Sequence, residues 1–143
     1  MHISTKKLKK ILLASDVINE KTFTDVVQEA QRLNQPPSII LIRRGDITED
    51  YLLELLEGEF KIPIIDLHNV EIPKKTLFLV SESFAKSKKI ILFEYDQKKN
   101  VAKVAMRDPF DIETLEYLRA ELGCWVEPYF ATSRSLGFGT KQY

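Results

Sequence analysis

The chain has 143 residues, 44% of them hydrophobic and 29% charged, and its 21 basic residues balance 21 acidic ones. That length holds one ordinary domain, or two very small ones, with a buried core. Net neutrality removes the long-range field that draws proteins to nucleic acid or to anionic membranes, so no nucleic-acid partner is expected.

The longest apolar runs, at 39–42 and 62–67, fall far short of the roughly 20 residues that span a bilayer. No direct membrane insertion is expected. The lysine-rich start has no apolar run behind it, because Ser15, Asp16, Asn19 and Glu20 interrupt at once, so no signal peptide is expected either. Cys124 stands alone, which excludes an intrachain disulfide and a cysteine-based zinc cage. A cytoplasmic location is the simplest expectation.

The first sixty residues contain a repeat. A shift of 29 aligns Leu12 with Leu41, Leu13 with Ile42, Ile18 with Ile47, Phe23 with Leu52 and Val27 with Leu56. Each copy reads as a short helix, a tight break, an isoleucine and a longer amphipathic helix. Gly45 suits the left-handed residue that ends a helix, and Asp16 is a poorer but tolerated choice at the equivalent place. Asn19 and Thr48 are N-caps, with Glu20, Glu49 and Asp50 favouring the positive helix start. Ile18 with Phe23, and Ile47 with Leu52, have the spacing of a hydrophobic staple. Pro36 and Pro37 close the first copy and open the third helix. The expected buried faces are Phe23, Val26, Val27, Ala30 and Leu33 in one copy and Leu52, Leu55, Leu56 and Phe60 in the other.

After Phe60 the pattern changes. Residues 62–67 are β-rich but carry Pro63, which predicts an edge strand. A helix over 81–88 leads into a strand at 90–95, and the polar stretch 96–100 turns back into a strand at 101–106. Asp111 caps a helix that turns Ile112, Leu115, Leu118 and Leu122 inward, Gly123 ends it, and 125–130 supplies a last strand. The fold class is therefore α+β: an N-terminal four-helix tandem repeat packed beside a small mixed sheet with helices, in the order strand, helix, strand, strand, helix, strand. The division runs 1–60, 61–132, and 133–143 as a mobile tail or linker.

No catalytic constellation emerges. The stretch Gly137-Phe138-Gly139-Thr140-Lys141 fails the phosphate-loop pattern on glycine spacing and on Gln142. His2 and His68 have no second ligand at helical spacing and read as surface residues, so no metal is expected. Glu57 and Glu59, or Asp108 and Asp111, read as solvated faces and caps. The basic cluster Lys6, Lys7, Lys9 and Lys10 reads first as a solvated face, and Arg43 and Arg44 suit the last turn of the third helix. Lys7, Lys10, Arg43 and Arg44 are the partner-binding candidates: the lysines also suit a lipid or nucleic-acid surface, and the two arginines an acidic partner.

These residues, in this order, resemble the N-terminal domain of the type II secretion and type IV pilus assembly ATPases, the general secretory pathway protein E and PilB type. The two 24-residue copies, 7–30 and 36–59, are similar to the tandem motif of the MshE-type cyclic-di-GMP-binding domain. Residues 62–67, 101–106 with Asp108-Pro109, 115–118 and Val126-Glu127-Pro128 resemble the family's α/β stretches. The resemblance implies a noncatalytic module that docks a motor on its inner-membrane platform or adaptor protein, peripheral to that membrane. The ATPase core would lie in cis or in trans, and any ATP site in that core. It also implies Leu8, Leu12, Leu41 and Gly45 as ligand contacts, should cyclic-di-GMP bind. This chain departs from the ligand-binding motif: Lys7 and Pro36 replace its opening arginine, Lys9 and Ser38 its first glycine, and Asp16 its second glycine in copy one. Side chains there obstruct close approach of the backbone to a ligand, and Asp16 adds negative charge near phosphates. Docking is thereby favoured over sensing, and no other cofactor is expected.

Overall fold

A computed structural model describes residues 1–143, which divide into two compact units, Met1–Lys61 and Ile62–Tyr143. The first unit is four helices, α1 (Thr5–Ala14), α2 (Glu20–Leu33), α3 (Pro37–Arg44) and α4 (Glu49–Phe60). Side chains start three of them: Ser4, Asn19 and Thr48 accept hydrogen bonds from the backbone N–H groups of Lys7, Thr22 and Tyr51. Each thereby satisfies one of the donors left open at a helix start. The fourth, α3, begins with Pro37, whose missing N–H would have been unsatisfied there anyway.

The break between helices is the same in both copies. Asp16 and Gly45 adopt left-handed φ values of 59° and 81°. The amides of Asp16 and Val17 donate to the carbonyls of Leu13 and Leu12; those of Gly45 and Asp46 donate to Ile42 and Leu41. That pair of reversed bonds is the Schellman closure. Ile18, Phe23, Ile47 and Leu52 are all buried, as the staple spacing requires. The copies differ in the face that the second helix buries. In α2 it is Phe23, Val26 and Ala30; in α4 it is Leu52, Leu53 and Leu56. Leu33, expected inside, is exposed because α2 ends beside it at the left-handed Asn34. Val27, Leu55 and Phe60 are only half-buried.

The second unit comprises α5 (Lys74–Leu77), α6 (Glu82–Lys88), β1 (Ile90–Asp96), β2 (Val101–Met106), α7 (Ile112–Leu122), β3 (Trp125–Phe130) and α8 (Ser133–Thr140). The sheet order is β1-β2-β3, with β1 and β2 antiparallel and β2 and β3 parallel. The hairpin register slips between Leu92 and Glu94. Its turn is fixed by the Asp96 carboxylate, which accepts from the amides of Lys98 and Lys99. A parallel pair needs a crossover, and α7 supplies it, capped at Asp111 and ended by Gly123 at φ 64°. Helices α5, α6 and α8 pack along β1, and α7 packs on β3. Ile91, Leu92, Val104, Ala105 and Val126 form the fully buried centre.

Three further sequence expectations are corrected. Residues 62–67 form an isolated bridge at Ile64 opposite Phe130, with two flanking backbone bonds, rather than a full strand. Pro63 lacks an N–H to extend the ladder, although its carbonyl accepts from Phe130. Ile112 lies 61% exposed at the first position of α7, and Thr114 takes the inward place, its hydroxyl donating to Asp111 at 2.6 Å. Residues 133–143 are not a mobile tail. Thr132 caps α8, Ser135 donates to the Ile65 carbonyl and accepts from the Leu67 amide, and Leu136 is buried. Gln142 bonds to the backbone of Val70 and Ile72, and the Tyr143 hydroxyl donates to the Val80 carbonyl.

Gly139 is required by that docking. A Cβ there would sit 2.9 Å from Cγ1 of Ile91 and 3.0 Å from Cδ1 of Leu67. Gly139→Val is expected to cost about 1–3 kcal/mol through overpacking. Gly137→Ala, where nothing lies within 4 Å of the added carbon, should gain about 0.5–1 kcal/mol from helix propensity. Denaturant midpoints of the two variants check the contrast.

Candidate functional site

The Met1–Lys61 unit places the four ligand candidates in two environments. Leu8, Leu12 and Leu41 are 1%, 0% and 0% exposed and belong to the helical core, as do Ile11 and Ile40 one position away in each copy. Burial of such side chains stabilises by roughly 1.5–3 kcal/mol each, so reaching a ligand from these positions requires that packing to open. Gly45 is exposed at the end of α3, with free space where a side chain would project. Its counterpart Asp16 holds the same backbone shape with a carboxylate on the surface.

The charged candidates fall into two clusters. Lys7 lies 2.7 Å from Glu59 and 5.8 Å from the centroid of the Phe60 ring, tying α1 to the end of α4. The Lys7 hydrogen bond, then its charge, hold the Glu59 carboxyl below the usual carboxylate range, and Lys10 and Lys61 add to this. Lys9 is engaged by Glu20 at 3.1 Å. Stems of Lys6, Lys7, Lys9 and Lys10 line an open groove with Ser4 and Leu13. In the second cluster Arg44 reaches Asp46 at 3.1 Å and Glu29 at 3.9 Å, binding the α3 end to α2, while Arg43 is exposed.

The Ile62–Tyr143 unit contributes a surface that the sequence reading missed. Phe78, Leu79, Tyr117 and Trp125 are 59%, 45%, 49% and 56% exposed. The Arg119 guanidinium lies 3.9 Å from the Trp125 ring centroid and also donates to the Val126 carbonyl, locking α7 to β3. Tyr117 packs on Phe84 at 4.8 Å between centroids. A helical stripe through Tyr117 was the available signal. His68 packs on Phe138 at the surface. Cys124 is buried, and desolvation pushes its thiol up, away from the reactive thiolate. No group of three or more His, Cys, Asp or Glu is gathered as a metal site. No helix is long and apolar enough to cross a membrane.

The model of the MshEN domain matches residues 60–137. The chain belongs to the MshEN domain family. The match falls on the α/β half and runs into α8, so it excludes the helical repeat. Over 130 residues, 91% of this chain, the protein is 30% identical to the type IV pilus assembly ATPase PilB of Thermus thermophilus, and it spans 15% of that relative's length. The fold matches a structure of MshE with cdg, the abbreviation of cyclic-di-GMP, at a TM-score of 0.83 and 22% identity, covering 95% of this chain and 97% of the other. It also matches the N-terminal domain of XpsE at 0.76 and 16% identity, covering 100% and 98%. This MshEN domain therefore has the α+β architecture of those N-terminal domains, helical repeat included.

Two predictions follow from the site geometry. Because a non-glycine residue in the left-handed region costs about 1 kcal/mol, Asp16→Gly should raise stability by about 0.5–1 kcal/mol and Gly45→Ala lower it by about 1 kcal/mol, read from urea unfolding. For the ion pair, NMR titration should find the Glu59 carboxyl ionising below its ordinary value of 4.5 and moving back up in Lys7→Ala. A lowered folded value means that the contribution is complete above 4.5 and is lost as pH falls through the folded value.

Proposed function

We propose that this MshEN domain is a noncatalytic interaction module that recruits or regulates a secretion or pilus-assembly ATPase by docking on an inner-membrane platform or adaptor protein. It acts in the cytoplasm, peripheral to the inner membrane through that partner, with the ATPase core in cis or in trans. The observation that carries this reading is the burial of Leu8, Leu12 and Leu41. The retained apolar skeleton of the repeat is thereby accounted for as core, and the chain offers exposed arginine, lysine and aromatic side chains for contact. Lys7, Lys10, Arg43 and Arg44 are the proposed charged contacts. As partly exposed rim charges they set association rate and salt dependence more than final affinity.

A second reading, a cyclic-di-GMP sensor with a degenerate motif, is favoured by Gly45, which keeps its left-handed, unobstructed backbone, and by the likeness to MshE. In it Leu8, Leu12, Leu41 and Gly45 make the ligand contacts, and the cost is opening the helical core around the leucines.

The chain is expected to hydrolyse no ATP above background. It should retain the cytoplasmic segment of the platform or adaptor protein in a binding assay. Arg43→Glu with Arg44→Glu should slow association severalfold and flatten its salt dependence. Turnover of ATP, or failure of the wild-type chain to retain any such segment, contradicts the docking reading. Heat and a melting shift with micromolar cyclic-di-GMP would establish the sensor instead.

A further inference from the structure

We propose that the groove between the start of α6 and the second half of α7 receives a cationic amphipathic helix from the docking partner. Its apolar residues would seat on Phe84 and Tyr117, and its basic residues would meet Glu113 and Glu121. The proposal rests on the docking reading and names the chemistry of the partner segment.

The groove lies within the Ile62–Tyr143 unit, with Leu118 and Leu122 among its lining residues. Tyr117 remains 49% exposed although it packs on Phe84. An aromatic pair left half open is the kind of anchor that dominates protein interfaces once covered, and Tyr is enriched there.

The uncommitted charge along the α7 side of the groove is negative. Positions 113, 117 and 121 are each one helical turn apart, so Glu113, Tyr117 and Glu121 form a single stripe along α7. Glu121 lines the groove itself. The neighbouring carboxylates are already engaged, Glu116 by Arg119 and Glu82 by Lys86, whereas Glu113 and Glu121 enter no ion pair. Leucine and aromatic side chains beside free carboxylates match a helix with basic residues beside its apolar stripe. These two charges also steer a basic segment, rather than an acidic one, into this groove.

The groove is held ready. Residues 79–81 form one wall, and the Tyr143 hydroxyl bonds to the Val80 carbonyl at 2.8 Å while Tyr143 stacks on Phe78. A preformed wall lowers the ordering cost of binding.

The test uses the whole 143-residue chain and an amphipathic peptide of about 18 residues built from Leu, Ala and Lys, long enough for a stable helix once bound. A second peptide carries Glu in place of Lys. Amide shift mapping should place the basic peptide on residues 79–84 and 113–122, the acidic peptide should leave those residues unshifted, and Glu113→Lys with Glu121→Lys should weaken binding of the basic peptide at least tenfold. Tyr117→Ala should do the same, with circular dichroism checking that both variants fold. Equal shifts at this groove with both peptides, shifts confined to α1, or unchanged affinity in the charge-reversed variant overturns the groove. Self-association of the chain that Tyr117→Ala abolishes also overturns it, since a second copy would then be the occupant. The two readings fail differently. If docking is wrong, the wild-type chain does not retain the platform segment; if only the groove is wrong, the charge-reversed chain retains it as well as wild type.

Discussion

The left-handed turn at Asp16 and Gly45 is the constraint on which the helical half depends. It ends α1 and α3 after only 10 and 8 residues, lengths at which an isolated helix is marginal. It also returns the chain at once into a capped second helix. Because the reversed bonds terminate on the Leu12 and Leu41 carbonyls, the residues that close the turn are also the ones whose side chains lie at the bottom of the core. Backbone closure and core packing are thus fixed by the same two leucines. A change at either position acts on both.

That coupling has a functional consequence. A ligand that used the two leucines as contacts would have to displace core packing, whereas a protein partner meets side chains that are already outside. The lysine cluster is partly spent on internal pairing with Glu59 and Glu20, and Arg44 on Glu29 and Asp46. Exposed pairs of this kind contribute little stability, so on the proposed docking they would exchange for a partner's charges at low cost. The α/β half offers the complementary chemistry, exposed aromatics beside unpaired carboxylates, and it is the half on which the family match falls.

Much of this was legible in the sequence wherever a local rule fixes the outcome. Asn19, Thr48 and Asp111 cap helices because short polar side chains satisfy open amides nearby, and Gly45 and Gly123 end them because glycine takes positive φ freely. What escaped depends on partners distant in sequence. Helix α8 contains two glycines and little apolar periodicity; it exists because Ser135 meets the 65–67 backbone and Gly139 fits against Ile91. The strand expected at 62–67 shrank to a bridge because its only neighbour is the end of β3. Leu53 was missed because α4 turns a different face inward from α2 despite the repeat. Of the candidate site, the residue types were legible but not their burial, since Leu8, Leu12 and Leu41 satisfy a core and a contact motif equally well.

The central claim is that the repeat ends are closed structural joints rather than a ligand site. Amide hydrogen exchange at Val17 and Asp46, whose N–H groups close the two turns on Leu12 and Leu41, tests it most directly, with and without saturating cyclic-di-GMP. The account predicts protection that the dinucleotide leaves unchanged. Exchange that slows at both amides when the dinucleotide is added would contradict it.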